Sequence, residues 1–397
     1  MWVTNIIQRI KNRLISLPRD LQLFLAAMFV FGFSQSIVDA TFNNFLKETF
    51  SISDFQRGLL ELPREMPGFL VVFVSAMFFF LCSRRLAALA NLLCAFGILF
   101  VGLYSPSFSI MLIWLFIFSI GQHLFLPTNQ SIGMELARDG KTGQRLGQLS
   151  GIANVSAIIG SFAILIGFKF FSLNFKSSYV VASLGFLTVS ILIFLMQKNQ
   201  PSAAITKFKL KKEYSLFYWL NILYGTRKQI FLTFAPWVLV TVFGQKTYVV
   251  ATLLMIGGII GIFFKPLLGR AIDRLGERFI LTAEAVILIF VCLGYGFSRN
   301  VFPDIVAMYI AFFCYVVDQL LMSVGMARAT YLHKIAVKPE DISQTLVMGV
   351  TIDHAFSITV ALVGGFIWIK WGYQYVFLLG VIISIVNTFS ALRIRTK

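Results

Sequence analysis

Apolar runs of about 20 residues recur along nearly the whole chain, separated by short clusters of charge, glycine or proline. The runs are continuous rather than alternating, which marks helices long enough to cross a bilayer and not the strands of a barrel. Taken run by run, the pattern predicts spans at 21–46, 54–81, 85–104, 107–136, 145–171 and 177–196. A second set is predicted at 214–242, 247–268, 277–297, 302–334, 341–369 and 373–392. Between the sets lies the longest polar stretch, Gln197 to Glu213, whose lysines, proline and serine suit a flexible or surface-lying linker. The expectation is an all-α membrane protein of twelve transmembrane helices. It divides into a six-helix bundle at 1–196, a basic linker at 197–213 and a second six-helix bundle at 214–397.

Composition sharpens this reading. Only 13% of the residues are charged, about half the share of a soluble domain, so the apolar excess must face lipid. The net charge of +17 follows the positive-inside rule. With the N-terminus inside, roughly 22 of the 34 Lys and Arg residues fall on the linker side, about 7 on the other and about 5 within spans. Both termini are therefore expected in the cytoplasm, with the chain in a bacterial inner (plasma) membrane. The basic residues form no single patch interleaved with stacking aromatics, which excludes nucleic acid as a partner. Cys82, Cys94, Cys292 and Cys314 lie in or beside apolar runs without CxxC spacing or clustered histidines, so the sequence predicts no metal site and no cofactor. Residues 1–20 are basic and amphipathic without a small-residue cleavage site, and the first apolar run is too long for a signal-peptide core. It is expected to stay as span 1.

One loop carries a motif. Between spans 8 and 9 the chain reads Gly269-Arg270-Ala271-Ile272-Asp273-Arg274-Leu275-Gly276-Glu277-Arg278. With two sets of six spans and a long basic linker, this loop resembles the signature of the major facilitator superfamily: Gly, then Asp-Arg-x-Gly, then a basic residue. The resemblance implies a secondary transporter working by alternating access, with spans 1, 4, 7 and 10 lining a central cavity. In such a loop the Asp273 carboxylate can accept hydrogen bonds from Arg274 or Arg278 and sit against a helix N-terminus, latching one conformation. Gly269 and Gly276 complete that latch. The equivalent loop of the first half, Cys82-Ser83-Arg84-Arg85, lacks the Asp and Gly, so any latch belongs mainly to the second half. Span 5 has Gly151-Ile152-Ala153-Asn154 and Gly160-Ser161 but no proline, a departure from the Gly-Pro signature of the superfamily's drug-proton antiporters. Its small residues still permit close helix contact.

Ionisable groups inside spans cost about 2.5–3.5 kcal/mol to insert and are functional candidates by default. Each helix that the resemblance assigns to the cavity brings at least one. Span 1 has Asp39, with Gln35 and Asn43 one turn away on the same stripe and Asn44 beside it. Span 4 has Gln122 and His123, span 7 has Arg227 and Lys228 behind Tyr224, and span 10 has Asp318 and Gln319. Arg227 and Lys228 point about 100° apart, so at most one faces the cavity squarely, either to capture an anionic group or to neutralise Asp39, Glu61 or Glu65. Span 2 adds Glu61, Arg64 and Glu65 among prolines that re-aim polar groups. Span 11 adds Asp353-His354, followed by Ser357 and Gly364-Gly365. This pair can relay protons or serve as a packing contact between helices. Trp219, Trp237, Trp368 and Trp371 fall near span ends as interfacial anchors, and Tyr224, Phe231 and Phe234 are weaker candidates for cavity walls.

These residues suit a monomeric carrier of a small polar solute, anionic or zwitterionic, coupled to protons, with symport and antiport both open. A lipid or amphipathic-molecule flippase and a multidrug-type exporter are the alternatives. No nucleophile-base set, metal spacing or phosphate loop argues for an enzyme.

Overall fold

A computed structural model describes residues 17–77, 81–138, 141–198 and 210–395. The first part contains α1 (Arg19–Phe50), α2 (Asp54–Leu59), α3 (Glu61–Met77), α4 (Ser83–Leu103), α5 (Phe108–Glu135), α6 (Thr142–Phe170) and α7 (Phe175–Phe194). After a 3-10 turn at Lys212–Tyr214 come α8 (Ser215–Thr241), α9 (Thr247–Val301) and α10 (Asp304–Leu321). A second 3-10 turn at Met322–Val324 leads into α11 (Gly325–Ile335), followed by α12 (Pro339–Trp371) and α13 (Tyr373–Ala391).

Local chemistry sets the helix starts. Ser107 and Asn174 cap α5 and α7 with side-chain oxygens, and Ser53 and Gln56 form a reciprocal capping box on α2. The loop expected between spans 8 and 9 is almost entirely helical. The 55-residue α9 is broken only at Gly276, whose φ of 80° and ψ of 160° are open to glycine and strained for other residues. Nine helices among the described residues are long and apolar enough to cross a membrane, α9 counting once and α10 with α11 together. Two others are not among them: α3 is described only as far as Met77, and Arg227 and Lys228 lower the apolarity of α8. These are two of the helices that build the candidate site.

In the first half α1 packs on α6 and α7, α4 on α5 and α7, and α3 on α5. In the second, α9 packs on α10 and α13, and α8 on α12 and α13. The halves meet where α6 crosses α9 and where α12 lies along α2 and α3. Phe263, Phe290 and Phe313 on the outer surface are 69%, 68% and 69% exposed, as lipid-facing side chains should be.

The helix ends define two faces. On the linker face, Arg84 at the start of α4 bonds Asp20 and the Gln197 carbonyl and pairs with Glu135 at 2.7 Å, while Trp219 bonds Ser390 at 2.9 Å. On the far face, contacts cross between the halves. Asn44 Nδ2 donates to the Gln245 carbonyl at 2.9 Å, and Trp237 Nε1 donates to Asp54 Oδ1 at 2.6 Å. Gly58 of α2 packs directly on the backbone of Ala361 and Gly365 in α12. Trp237, 1% exposed, and Trp368, in tilted ring contact with Phe234 and Tyr373, are therefore packing residues near the closed face and not interfacial anchors. Trp219 and Trp371 are exposed, as anchors should be.

Candidate functional site

Two neighbouring cavities occupy the middle of the molecule. One, of about 370 Å³, is walled by Gln35, Asp39 and Asn43 of α1, Phe118 and Gln122 of α5, Phe231 of α8, and Tyr315, Asp318 and Gln319 of α10, with Arg64 of α3 on the same wall. The other, of about 530 Å³, continues toward the linker face past Ser150, Asn154 and Lys265 and shares Asp39 and Gln319. Spans 1, 4, 7 and 10 thus do meet around one chamber.

Asp39 is the exposed carboxylate of this chamber, and its exposure opens onto both cavities. A chain of amides leads to it: Gln122 Nε2 donates to Gln35 Oε1 at 2.7 Å, and Gln35 Nε2 donates to Asp39 Oδ1 at 2.9 Å. Among the described residues no cation lies within ion-pair distance of Asp39, whereas Arg57, Arg64, Arg227, Lys228 and Arg328 each have a carboxylate partner.

The cations of α8 are engaged elsewhere than the sequence suggests. Arg227 sits 3.3 Å from Asp318 and 3.5 Å from Glu284, and Arg328 lies 3.8 Å from Glu284 with its guanidinium 3.5 Å over the Tyr224 ring. Lys228 Nζ meets Asp353 Oδ2 at 2.7 Å. Neither Arg227 nor Lys228 lines either cavity, and neither pairs with Asp39, Glu61 or Glu65. The structural reason is Gly225, where a Cβ would stand 1.8 Å from Asp353 Oδ1. Its absence lets α12 bring Asp353 against α8. Phe231 reaches the cavity, but Tyr224 serves as a platform for cations and Phe234 is fully buried against Trp368.

On α3, Glu61 is fully buried between Arg57 at 2.5 Å and Arg64 at 3.0 Å, and Arg57 also donates to Asn43 Oδ1 at 3.0 Å. Asp353 and His354 do not form a relay pair. Successive residues diverge on a helix, so Asp353 faces Lys228 while His354 Nδ1 contacts Glu65 Oε2 at 2.9 Å across the two halves. His123 joins them, its ring centroid 5.0 Å from that of His354 and its Nδ1 2.9 Å from the Ser119 carbonyl. Ligand atoms of Glu65, His123 and His354 all lie within 4.8 Å of one another. This cluster was not legible in the sequence, because its members come from three helices and have no diagnostic spacing.

The residues expected to form a latch make few contacts. Asp273, Arg274 and Arg278 are exposed, Gly269 and Gly276 have open space around them, and among the described residues Asp273 has no ion pair or hydrogen bond. The buried acid of the motif is instead Glu277, 1% exposed and 2.8 Å from Lys334. Sequence reasoning also passed over Arg57, Glu284 and Arg328. Glu284 and Arg328 are lone charges in apolar surroundings, the same signal that singled out Asp318.

A helical membrane bundle closed at one face around a polar central chamber is the architecture of a secondary transporter. Residues 23–350 match the Major Facilitator Superfamily, and the chain belongs to that family. No curated protein matches the sequence significantly. Among solved structures, the chain is similar to a mutant form of the nucleoside transporter NupG, with a TM-score of 0.74 at 14% identity, covering 95% of this chain and 100% of that one. It is similar to a D-xylose-proton symporter, with a TM-score of 0.71 at 14% identity, covering 95% and 97%. It is also similar to a POT family transporter in complex with 5-aminolevulinic acid, with a TM-score of 0.73 at 12% identity, covering 94% and 95%. At these identities the likeness establishes the fold.

Proposed function

We propose that the protein moves a small polar organic solute, zwitterionic or anionic, across a bacterial inner membrane by proton-coupled alternating access. The bundles at 1–196 and 214–397 rock about the central chamber, and the linker face is cytoplasmic. The observation that carries this reading is Asp39, a carboxylate open to the chamber with amides beside it and, among the described residues, no cation within ion-pair distance. Such a group exchanges a proton or meets a substrate ammonium at low cost, whereas the carboxylates held by arginines do not. Arg64, 25% exposed at its side chain, supplies positive charge on the same wall for a carboxylate or phosphate of the solute. Gln35, Gln122, Gln319 and Asn43 provide hydrogen bonds, and Phe118, Phe231 and Tyr315 provide faces for a flat or ring-shaped body.

By their descriptions the structural neighbours are a nucleoside transporter, a D-xylose-proton symporter and a transporter in complex with 5-aminolevulinic acid; these solutes are small polar molecules, the last of them zwitterionic. A panel of such solutes tested by thermal stabilisation of the wild type and Asp39→Asn gives the first check. The proposal expects a solute that raises Tm in the wild type and raises it less in the variant. A cargo that stabilises both equally removes Asp39 from the site.

A further inference from the structure

We propose that Glu65, His123 and His354 form a binding site for a zinc-like divalent transition-metal ion, and that the bound ion holds the two halves in the conformation described here. The three side chains offer the donor set of a two-imidazole, one-carboxylate site. Each can offer one ligand atom. His123 Nδ1 lies 2.9 Å from the Ser119 carbonyl, so that nitrogen carries the hydrogen and Nε2 keeps its lone pair. A backbone carbonyl on the far nitrogen is the arrangement that fixes the tautomer of metal-bound histidines. His354 Nδ1 is hydrogen-bonded to Glu65 Oε2 at 2.9 Å, so the ion takes the place of that shared proton, which moves to His354 Nε2 or to solvent, and both atoms become ligands. Arg64 approaches the other Glu65 oxygen at 3.8 Å, leaving one oxygen for an ion.

The site is enclosed and shaped. Glu65, His123 and His354 are 6%, 9% and 7% exposed. A Cβ at Gly68 would lie 2.6 Å from His123 Nε2 and 2.8 Å from His354 Cε1, so this glycine makes the room in which the two rings converge. Ligands at about 2.0–2.2 Å around a tetrahedral ion stand about 3.4 Å apart. The 2.9 Å pair therefore opens slightly, and the widest separation, at most 4.8 Å, closes by turning the imidazoles. A fourth position remains for water.

Glu65 and His123 belong to α3 and α5, His354 to α12, so the ion bridges the two halves. Arrest of transport by the ion rests on the rocking motion proposed above. Binding of the ion does not, and the two are measured separately. Equilibrium dialysis of the purified full-length protein with zinc chloride is expected to give one bound ion per chain. Affinity should fall by about tenfold or more in Glu65→Gln, His123→Gln and His354→Gln, with magnesium failing to compete. X-ray absorption of the zinc-loaded wild type should show imidazole and carboxylate ligands, a reading that needs no variant to fold. Absence of stoichiometric zinc, affinity unchanged in both histidine variants, or a thiolate-only ligand set overturns the site. Stoichiometric binding at these residues with transport undiminished overturns the arrest.

Discussion

Replacing Gly58 by alanine tests whether the far face is held shut by direct backbone contact between the halves. The new Cβ would stand 2.5 Å from the Ala361 carbonyl oxygen and 3.1 Å from the Gly365 Cα. Both are backbone atoms of α12 and cannot swing away as a side-chain tip would, so α2 and α12 must separate. Overpacking of this kind costs about 1–3 kcal/mol, and the cost falls only on the conformation in which the helices touch. The equilibrium should therefore shift about fivefold to 150-fold toward the state with the far face open. Glu48 and Lys246 are exposed on that face in different halves, and the four native cysteines are buried, so spin labels at Glu48→Cys and Lys246→Cys report the opening cleanly. Double electron-electron resonance should show a longer distance gaining population in the Gly58→Ala background. An unchanged distribution in a folded, stable variant refutes the contact as a gate.

Three further predictions follow from buried charge and its partners. Glu284→Gln leaves Arg227 and Arg328 short of their shared carboxylate in a site only 2% exposed, so stability should fall by about 3–5 kcal/mol in thermal or denaturant unfolding. Loss of the Trp237 bond in Asp54→Ala should weaken the closed far face by about 1.5–3 kcal/mol, seen in the same label pair as Gly58→Ala. On the linker face, Asp341 lies ahead of the apolar segment Met348–Trp371, and hydrogen bonds from Lys211 and Tyr214 hold its carboxyl below the ordinary range. A depressed folded-state pKa contributes stability above the unfolded value of about 3.9, and that contribution disappears as pH falls through the lower folded value. Wild type should therefore melt above Asp341→Asn near neutral pH, and the two curves should converge in acid. A gap that widens in acid contradicts the assignment.

Element positions were legible because membrane helices announce themselves through unbroken apolarity. The observed bounds of α1, α4, α5, α6, α7, α12 and α13 lie within four residues of those expected. The turn at Gly276 was harder to place, since one glycine with positive φ does the work for which a whole loop was expected. The chamber was legible in outline, because Asp39, Gln122 and Asp318 lie on the helices that the family resemblance assigned to it. Pairing was not legible. Whether Lys228 meets Asp39 or Asp353 depends on the rotation of α8 against α12, which is set by the missing side chain of Gly225. The same holds for Glu65, His123 and His354, which are far apart in sequence and converge over Gly68. Charges that neutralise one another and charges left for cargo look alike in a one-dimensional chain, and only partner distances separate them.

The most direct measurement of the central claim is solute uptake into proteoliposomes under an imposed pH gradient, comparing the wild type with Asp39→Asn. The wild type should accumulate solute when the gradient is imposed. The variant should lose accumulation while still exchanging solute at equal concentrations, because its chamber remains but its exchangeable proton does not. Full gradient-driven accumulation by Asp39→Asn would contradict that claim.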